Sequence, residues 1–256
     1  VSLLIDCDYI VYKCCAATET EIDFGEDLIV VTSRFSEAYD YVERELYNIA
    51  NDLGCFDDSI LFFSDSINFR KSLDPAYKGH RNRKKPCGYK RVINKLKEEY
   101  NVVVMPTLEA DDAMGIYATK EPGHIICSPD KDMRQIPGEL YDLSDGIVTI
   151  TPEEGYRWHL IQTMAGDQTD GYAGVPGIGI KRAAALLDEH GANWKTVVDA
   201  FAEKDLDESV ALLNARLAKI LQAEDYDFST QEIRHWVPTS ASVGINNGTA
   251  VQDASD

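Results

Sequence analysis

The sequence predicts an α/β fold: a central, mainly parallel sheet flanked by helices, followed by a helical C-terminal region. Three observations carry that expectation. Short apolar runs bounded by turn residues recur as SLLID, SILFFSD, NVVVM and HIICSP, and such runs read as strands buried on both faces. Segments of helical periodicity separate them, which is the alternation that builds parallel strands. After Thr151 the strand signal gives way to helical signals.

Taken in order, Ser2–Asp6 reads as the first strand and residues 9–17 as a short buried helix. Residues 18–32 are acidic, then β-branched, and fit a loop or hairpin. From Ser33 to Leu53 the residues Phe35, Ala38, Tyr39, Val42, Leu46, Ile49 and Leu53 form one apolar stripe of a helix. Ser59–Ser64 is the next strand. Residues 66–88 have no long apolar period and contain Pro75 and Pro86; a structureless stretch of that length is usually functional. Tyr89, Val92, Ile93, Leu96 and Tyr100 mark an amphipathic helix. A strand at Asn101–Met105, a helix at Glu109–Thr119 and a strand at His124–Ser128 follow. Glu139–Leu143 and Ile147–Ile150 flank Ser144-Asp145-Gly146 as a hairpin. Thr151 and Glu154 have the spacing of a capping box, for a helix to about Ala165. Beyond GVPGIGIKRAAALL, helices are expected near 193–203 and 207–223. Residues 239–256, rich in Ser, Asn, Gly, Thr and Asp, read as a disordered tail.

The 256 residues suffice for one large α/β domain and a smaller helical part. No apolar stretch is long enough to span a membrane. The chain begins in a strand, without a basic n-region or cleavage site, which points to a cytoplasmic protein. The six cysteines (Cys7, Cys14, Cys15, Cys55, Cys87, Cys127) form no CxxC pair and suggest reduced, mostly buried thiols rather than a zinc site. The formal charge of −19 first argues against a nucleic-acid partner. Its distribution reverses that: residues 70–97 hold 11 Lys and Arg against one acid, Asp74, so this segment is +10 and the remainder −29. A basic stripe beside an acidic cluster suits hydrolysis of a polyanion.

The acidic cluster lies where strands end. Asp6 closes SLLID and Asp65 closes SILFFSD. Glu109, Asp111 and Asp112 form EADD after VVVMPTL, Asp130 and Asp132 follow HIICSP, and Asp167 and Asp170 sit in GDQTDGY. In open α/β sheets the carboxyl ends of the strands form the ligand crevice. Nine acids converging there need a compensating charge. Oxygen-only donors without His or Cys favour Mg²⁺ or Mn²⁺ over Zn²⁺, and two such ions would serve an in-line displacement at phosphorus. Taken singly, each acid reads equally well as a helix cap or solvated turn.

Two further elements suit a phosphate backbone. Arg70, Lys71, Lys78, Arg81, Arg83, Lys84, Lys85 and Lys90 surround Tyr77 and Tyr89; Arg clamps phosphate, Lys acts as a point charge and Tyr can stack on a base. Gly174, Gly177 and Gly179 precede a helix carrying Lys181 and Arg182, so backbone N–H groups and a helix N-terminus can grip phosphates without reading sequence.

The order Asp6, FSDS, FRK, YKGHR, EADD, SPDKDM, GDQTDGYAGVPGIGIK resembles the flap endonuclease and 5′→3′ exonuclease superfamily, most closely the 5′→3′ exonucleases of small tailed bacteriophages, over residues 2 to about 238. The resemblance implies a PIN-like nuclease domain over 1–160, with 66–98 as a basic arch or gateway segment. It also implies a helix–three-turn–helix DNA-binding element with C-terminal helices over 161–238. It implies a first metal site at Asp6, Asp65, Glu109, Asp111 and Asp112, extended by Asp130 and Asp132, and a second with Asp167 and Asp170. Lys78 and Arg81 match basic residues beside the scissile phosphate, and Gly174–Lys181 matches an element that in some members holds a monovalent cation. The implied protein is a monomeric, cytoplasmic, two-Mg²⁺ 5′ nuclease. It acts on duplex or flapped DNA, or on RNA primers in hybrids, and leaves 5′-phosphates; if phage-encoded, it works in the host cytoplasm. The competing readings are a PIN-type ribonuclease, a non-catalytic structure-specific DNA-binding protein and a small-substrate phosphatase.

Overall fold

The computed structural model describes residues 2–55, 58–81, 84–144 and 146–238. At its centre is β1 (Leu3–Asp6), buried along its whole length. Leu3 and Ile5 enter one apolar cluster and Leu4 the other, as the alternation of a strand requires. α1 (Cys7–Ala17) follows directly, two residues earlier than the apolar period suggests. The cause is Asp6, whose carboxylate accepts the Tyr9 N–H and makes the last strand residue an N-cap. Residues 18–32 resolve as a hairpin of β2 (Thr20–Asp23) and β3 (Ile29–Thr32), a separate antiparallel pair. α2 (Phe35–Leu53) buries the expected stripe and ends at Gly54, which takes the left-handed conformation of a helix stop.

β4 (Ser59–Phe62) pairs parallel with β1. α3 (Arg70–Leu73) and α4 (Tyr89–Glu99) precede β5 (Asn101–Val103), which is parallel to β4. α5 (Ala110–Lys120) then returns the chain to the other side of β1, where β6 (Ile125–Cys127) pairs parallel with it. β7 (Gly138–Tyr141) continues parallel and β8 (Ile147–Ile150) closes antiparallel, giving the order β5-β4-β1-β6-β7-β8. The strand order reverses beside β1. That switch point is where a crevice opens at the strand ends, and Asp6, Asp65 and Asp130 all follow the strands that border it.

α6 (Pro152–Ala165) starts at the predicted capping box: Thr151 accepts the Glu154 N–H and Glu154 accepts the Thr151 N–H. This helix runs across position 160, where the sequence reading divided the chain. α7 (Ile180–His190), α8 (Trp194–Ala202) and α9 (Glu208–Ala218) pack with α6 around a third apolar cluster that includes Leu160, Val175, Leu187 and Phe201. α9 stops five residues short of the expected 223. The backbone beyond it is claimed by tertiary partners: the Lys219 carbonyl accepts from Arg70, and the Ile220 and Leu221 N–H groups donate to Gln135 and Asp112. β9 (Tyr226–Asp227) and β10 (Glu232–Ile233) form a short antiparallel pair. The expected tail at 239–256 lies outside the described residues.

His159 of α6 is buried, with Nε2–H donating to the Ala215 carbonyl at 2.9 Å and the ring edge-on to Trp236. Burial, with Lys219 nearby, pushes its pKa down to about 3 from 6.5. The unfolded chain takes up this proton near pH 6.5 and the folded one only near 3, so folding loses about 1.4 kcal/mol per pH unit across that window. His159→Gln is expected to flatten the fall of the urea midpoint below pH 6.5. An unchanged slope would refute the assignment.

Candidate active site

A cleft of about 690 Å³ opens at the switch point, and eight carboxylates line it: Asp6, Asp8, Asp65, Glu109, Asp111, Asp130, Asp132 and Asp170. Each is fixed by its own element. Asp6 ends β1 and accepts from Ser128 Oγ at 2.9 Å. Asp65 follows β4 and takes the Thr107 and Ser66 N–H groups at 2.8 and 2.7 Å; the Thr107 bond leads in holding it below the usual carboxylate range. Glu109 caps α5 and Asp111 stands in its first turn. Asp130 caps the short turn after β6 by accepting the Asp132 N–H at 2.8 Å. Among the described residues no group of three or more His, Cys, Asp or Glu side chains is gathered closely enough to hold a metal ion.

Charge divides the cleft into two halves. On one side burial, with Asp8 and Asp130 adding repulsion, pushes Asp6 up to about 6. Burial and Asp6, Asp130 and Glu109 raise Asp111 well above its ordinary value, and burial with Asp130 brings Asp132 to about 7. On the other side cations prevail. Burial opposes ionisation of Glu109, but Lys78 and Arg70 outweigh it and hold its pKa down to about 2. Lys78 pairs with Glu109 and lies 3.5 Å from Asp170, and Arg81 Nη2 is 2.7 Å from Asp170. The gateway backbone is fastened to the same loop: the Lys78 N–H donates to the Asp170 carbonyl at 2.7 Å and Arg81 Nε to the Thr169 carbonyl at 2.9 Å. Tyr77 is buried and its hydroxyl lies 2.9 Å from Asp170 and 3.1 Å from Glu109, so it supports the carboxylates instead of stacking on a base.

Four expectations are corrected by these contacts. Asp112 is fully buried and does not line the cleft; Arg70 binds both its oxygens at 2.7 Å, and the Leu221 and Glu109 N–H groups add a third and a fourth bond. No lone pair direction is left open toward the crevice, so it is not placed as a ligand. Arg70 is 1 % exposed and spends its guanidinium inside the protein, which removes it as a DNA contact. Asp167 does not line the cleft either: Oδ1 takes the Thr169 and Asp170 N–H groups of its own loop and Oδ2 faces Lys131 at 3.4 Å. Gly174 is buried, and a Cβ there would stand 2.4 Å from the Gly166 nitrogen. Its N–H goes to Asn214, so it permits close packing instead of gripping phosphate.

The other basic positions are accessible. Lys71, Lys84, Lys85, Lys90, Lys181 and Arg182 are exposed, as are Gly177 and Gly179. Lys85 and Lys90 line the cleft itself, and Lys85 Nζ sits 4.5 Å above the Tyr89 ring. Gly179 caps α7 and, having no side chain, gives the helix's first-turn N–H groups no partner from the cap. Arg83 lies outside the described residues.

Residues 2–157 match the family model described as the 5′-3′ exonuclease N-terminal, resolvase-like domain. The chain belongs to the 5′–3′ exonuclease family. The exodeoxyribonuclease of Enterobacteria phage T3 is 30% identical, with 93% of each chain covered. Two solved T5 D15 structures share its fold. One, co-crystallised with metal ions, has a TM-score of 0.65 at 16% identity over 85% of this chain and 89% of that one. The other, a flap endonuclease pseudo-enzyme–product complex with DNA and metal ions, has a TM-score of 0.62 at 15% identity over 85% and 88%.

Sequence reasoning left out two residues: Asp8, which lines this exonuclease's cleft, and Gln162, which contacts a carboxylate that does. Asp8 accepts from the Ser64 N–H at 2.8 Å and from the Tyr89 hydroxyl at 3.0 Å; its place two residues after Asp6, on the first turn of α1, was the available signal. Gln162 reaches Asp132 from α6, and nothing in the sequence marks a single glutamine as facing a carboxylate 30 positions away.

Proposed function

We propose that this chain is a divalent-metal-dependent 5′ nuclease that hydrolyses phosphodiesters of duplex or flapped DNA, and of RNA primers in hybrids, leaving 5′-phosphates. The observation that carries this reading is the sharing of one cleft by eight carboxylates and by Lys78, Arg81, Lys85 and Lys90. The donor set fits hard cations. It is all oxygen, and the upward shifts at Asp6, Asp111 and Asp132 show buried negative charge without enough compensation. Asp6, Asp65, Glu109, Asp111, Asp130 and Asp132 are the residues that would hold one Mg²⁺ or Mn²⁺, which leaves Asp170 as the cleft-lining carboxylate for a second. Divalent ions at such a site acidify water and neutralise charge on the reacting phosphate.

The protein's own groups supply the rest. Lys78 and Arg81 already face the cleft; a scissile phosphate entering there competes with Glu109 and Asp170 for them, and the charge growing on its oxygens strengthens those contacts in the transition state. The left-handed backbone of Lys78, φ 52°, costs roughly 1 kcal/mol or more and is held by its bond to Asp170. Lys85 and Lys90 extend the positive wall along the strand. Gly177, Gly179, Lys181 and Arg182 grip duplex backbone at a distance, with a monovalent cation at that turn. The working unit is a monomer.

The test uses duplex, flap and RNA-primed substrates carrying a label at the 5′ or the 3′ end, with and without Mg²⁺. Short 5′-labelled products that require Mg²⁺, with the 3′ label retained on long strands, are expected. Release of 3′-terminal nucleotides first, or full cleavage in a chelator, would refute the reading.

A further inference from the structure

Two buried glutamines form a relay that ends on the cleft. Gln135 and Gln162 are 1 % and 4 % exposed. Gln135 Oε1 accepts the Ile220 N–H at 3.0 Å, and its Nε2 donates to the Ala218 carbonyl at 2.6 Å and to Gln162 Oε1 at 2.7 Å. Flipping this amide would set donor against the Ile220 donor and acceptor against the Ala218 acceptor, so backbone fixes its sense. Gln162 Oε1 is then committed to Gln135, and its Nε2 must point the other way. It meets Asp132 Oδ1 at 2.5 Å.

Asp132 needs such a partner. Asp130, Asp170 and Asp167 repel it, and Lys131 is the cation that opposes them. A lysine in place of Gln162 would hold Asp132 by neutralising it, and would then compete with an incoming cation. A neutral amide donates a hydrogen bond and leaves the negative charge available. Partners of this kind orient a ligand and commonly change metal affinity or activity by 10–100-fold when removed.

We propose that Gln162 is a positioning residue for the nuclease reaction: it turns Asp132 toward the cleft, in a sense imposed through Gln135 by the docking of residues 218–220. The inference rests on the assignment of Asp132 to the cation-holding carboxylates. It also links the C-terminal segment to the reaction centre, because the relay begins at the Ile220 N–H and Ala218 carbonyl just beyond and at the end of α9.

The experiment compares Gln162→Met, Gln162→Glu and Asp132→Ala with the parent protein. It uses calorimetric titration with Mn²⁺ in the absence of DNA, melting in chelator, and single-turnover cleavage against Mg²⁺ concentration. Gln162→Met is expected to weaken Mn²⁺ binding roughly tenfold while melting in chelator stays close to the parent, and its cleavage rate recovers at high Mg²⁺. Gln162→Glu keeps the size but loses the amide donor, so it too should release Asp132 from its parent orientation and shift the Mg²⁺ dependence of cleavage to higher concentration. Parent-like Mn²⁺ affinity in both Gln162 variants, with a clear loss in Asp132→Ala, would overturn the relay alone. Parent-like affinity and rate in Asp132→Ala would instead overturn the assignment of Asp132 beneath it.

Discussion

Asp111→Asn is expected to lose roughly a thousandfold in single-turnover cleavage, since a ligand to a catalytic cation carries several kcal/mol of transition-state stabilisation. The same substitution should stabilise the protein in chelator. Asp111 is pushed toward its neutral form by burial and by Asp6, Asp130 and Glu109, with Lys78 as the opposing charge. Asparagine keeps the shape and removes the repulsion, which is worth roughly 1 kcal/mol and a melting rise of about 2 °C in a chain of this size. A mutation that damaged folding would lower both quantities, so the opposed signs identify a group whose charge serves the reaction at the expense of the fold. DNA affinity should change little, because the basic wall and the α7 turn are untouched. Parent-like cleavage would remove Asp111 from the site, and a lower melting point in chelator would remove the electrostatic argument.

The sequence made the sheet and the crevice legible because both follow from short-range signals. Apolar runs with a carboxylate at or just past their end are strands that run up to the crevice, and Asp6, Asp65 and Asp130 are found there. Helix limits were readable where local chemistry sets them, as at Thr151 with Glu154 and at Gly54. What escaped detection depended on long-range partners. α9 ends at Ala218 because residues 219–221 bond to Arg70, Gln135 and Asp112, positions 85 to 149 residues away in the chain. In the same way EADD offers three acids within one turn, but only the helix's rotation on the sheet decides that Asp111 faces the cleft and Asp112 the interior. A charge run cannot show which of its members is buried: Arg70 and Lys71 are neighbours with opposite fates. Gly174 and Gly177 likewise differ only in what packs against them.

Arg70→Met is expected to destabilise the fold by about 3–5 kcal/mol, the usual cost of leaving a buried charge without its partner. All five guanidinium N–H groups are engaged. Nη1 binds Asp112 at 2.7 Å and Glu109 at 3.2 Å, and Nη2 binds Asp112 at 2.7 Å and the Lys219 carbonyl at 2.5 Å. Nε completes the set on the Leu217 carbonyl at 3.0 Å. The planar fork also lies 4.6 Å from the Phe69 ring centroid. Lysine offers three donors from one point and cannot reproduce this set, so Arg70→Lys should lose stability as well. Methionine fills much of the volume but strands Asp112, whose remaining bonds are to the Leu221 and Glu109 N–H groups. The double variant Arg70→Met with Asp112→Leu removes both charges and should recover a large part of the loss, because a buried pair replaced by apolar groups of similar size is often neutral. Urea midpoints of the four proteins check this. A single variant as stable as the parent, or a double variant less stable than both singles, would show that the pair is not what ties α3 to α5 and to the segment after α9. Activity separates the structural role from the catalytic one. The double variant should regain folding without regaining full cleavage, because Glu109 loses one of the two cations that hold it ionised beside Lys78.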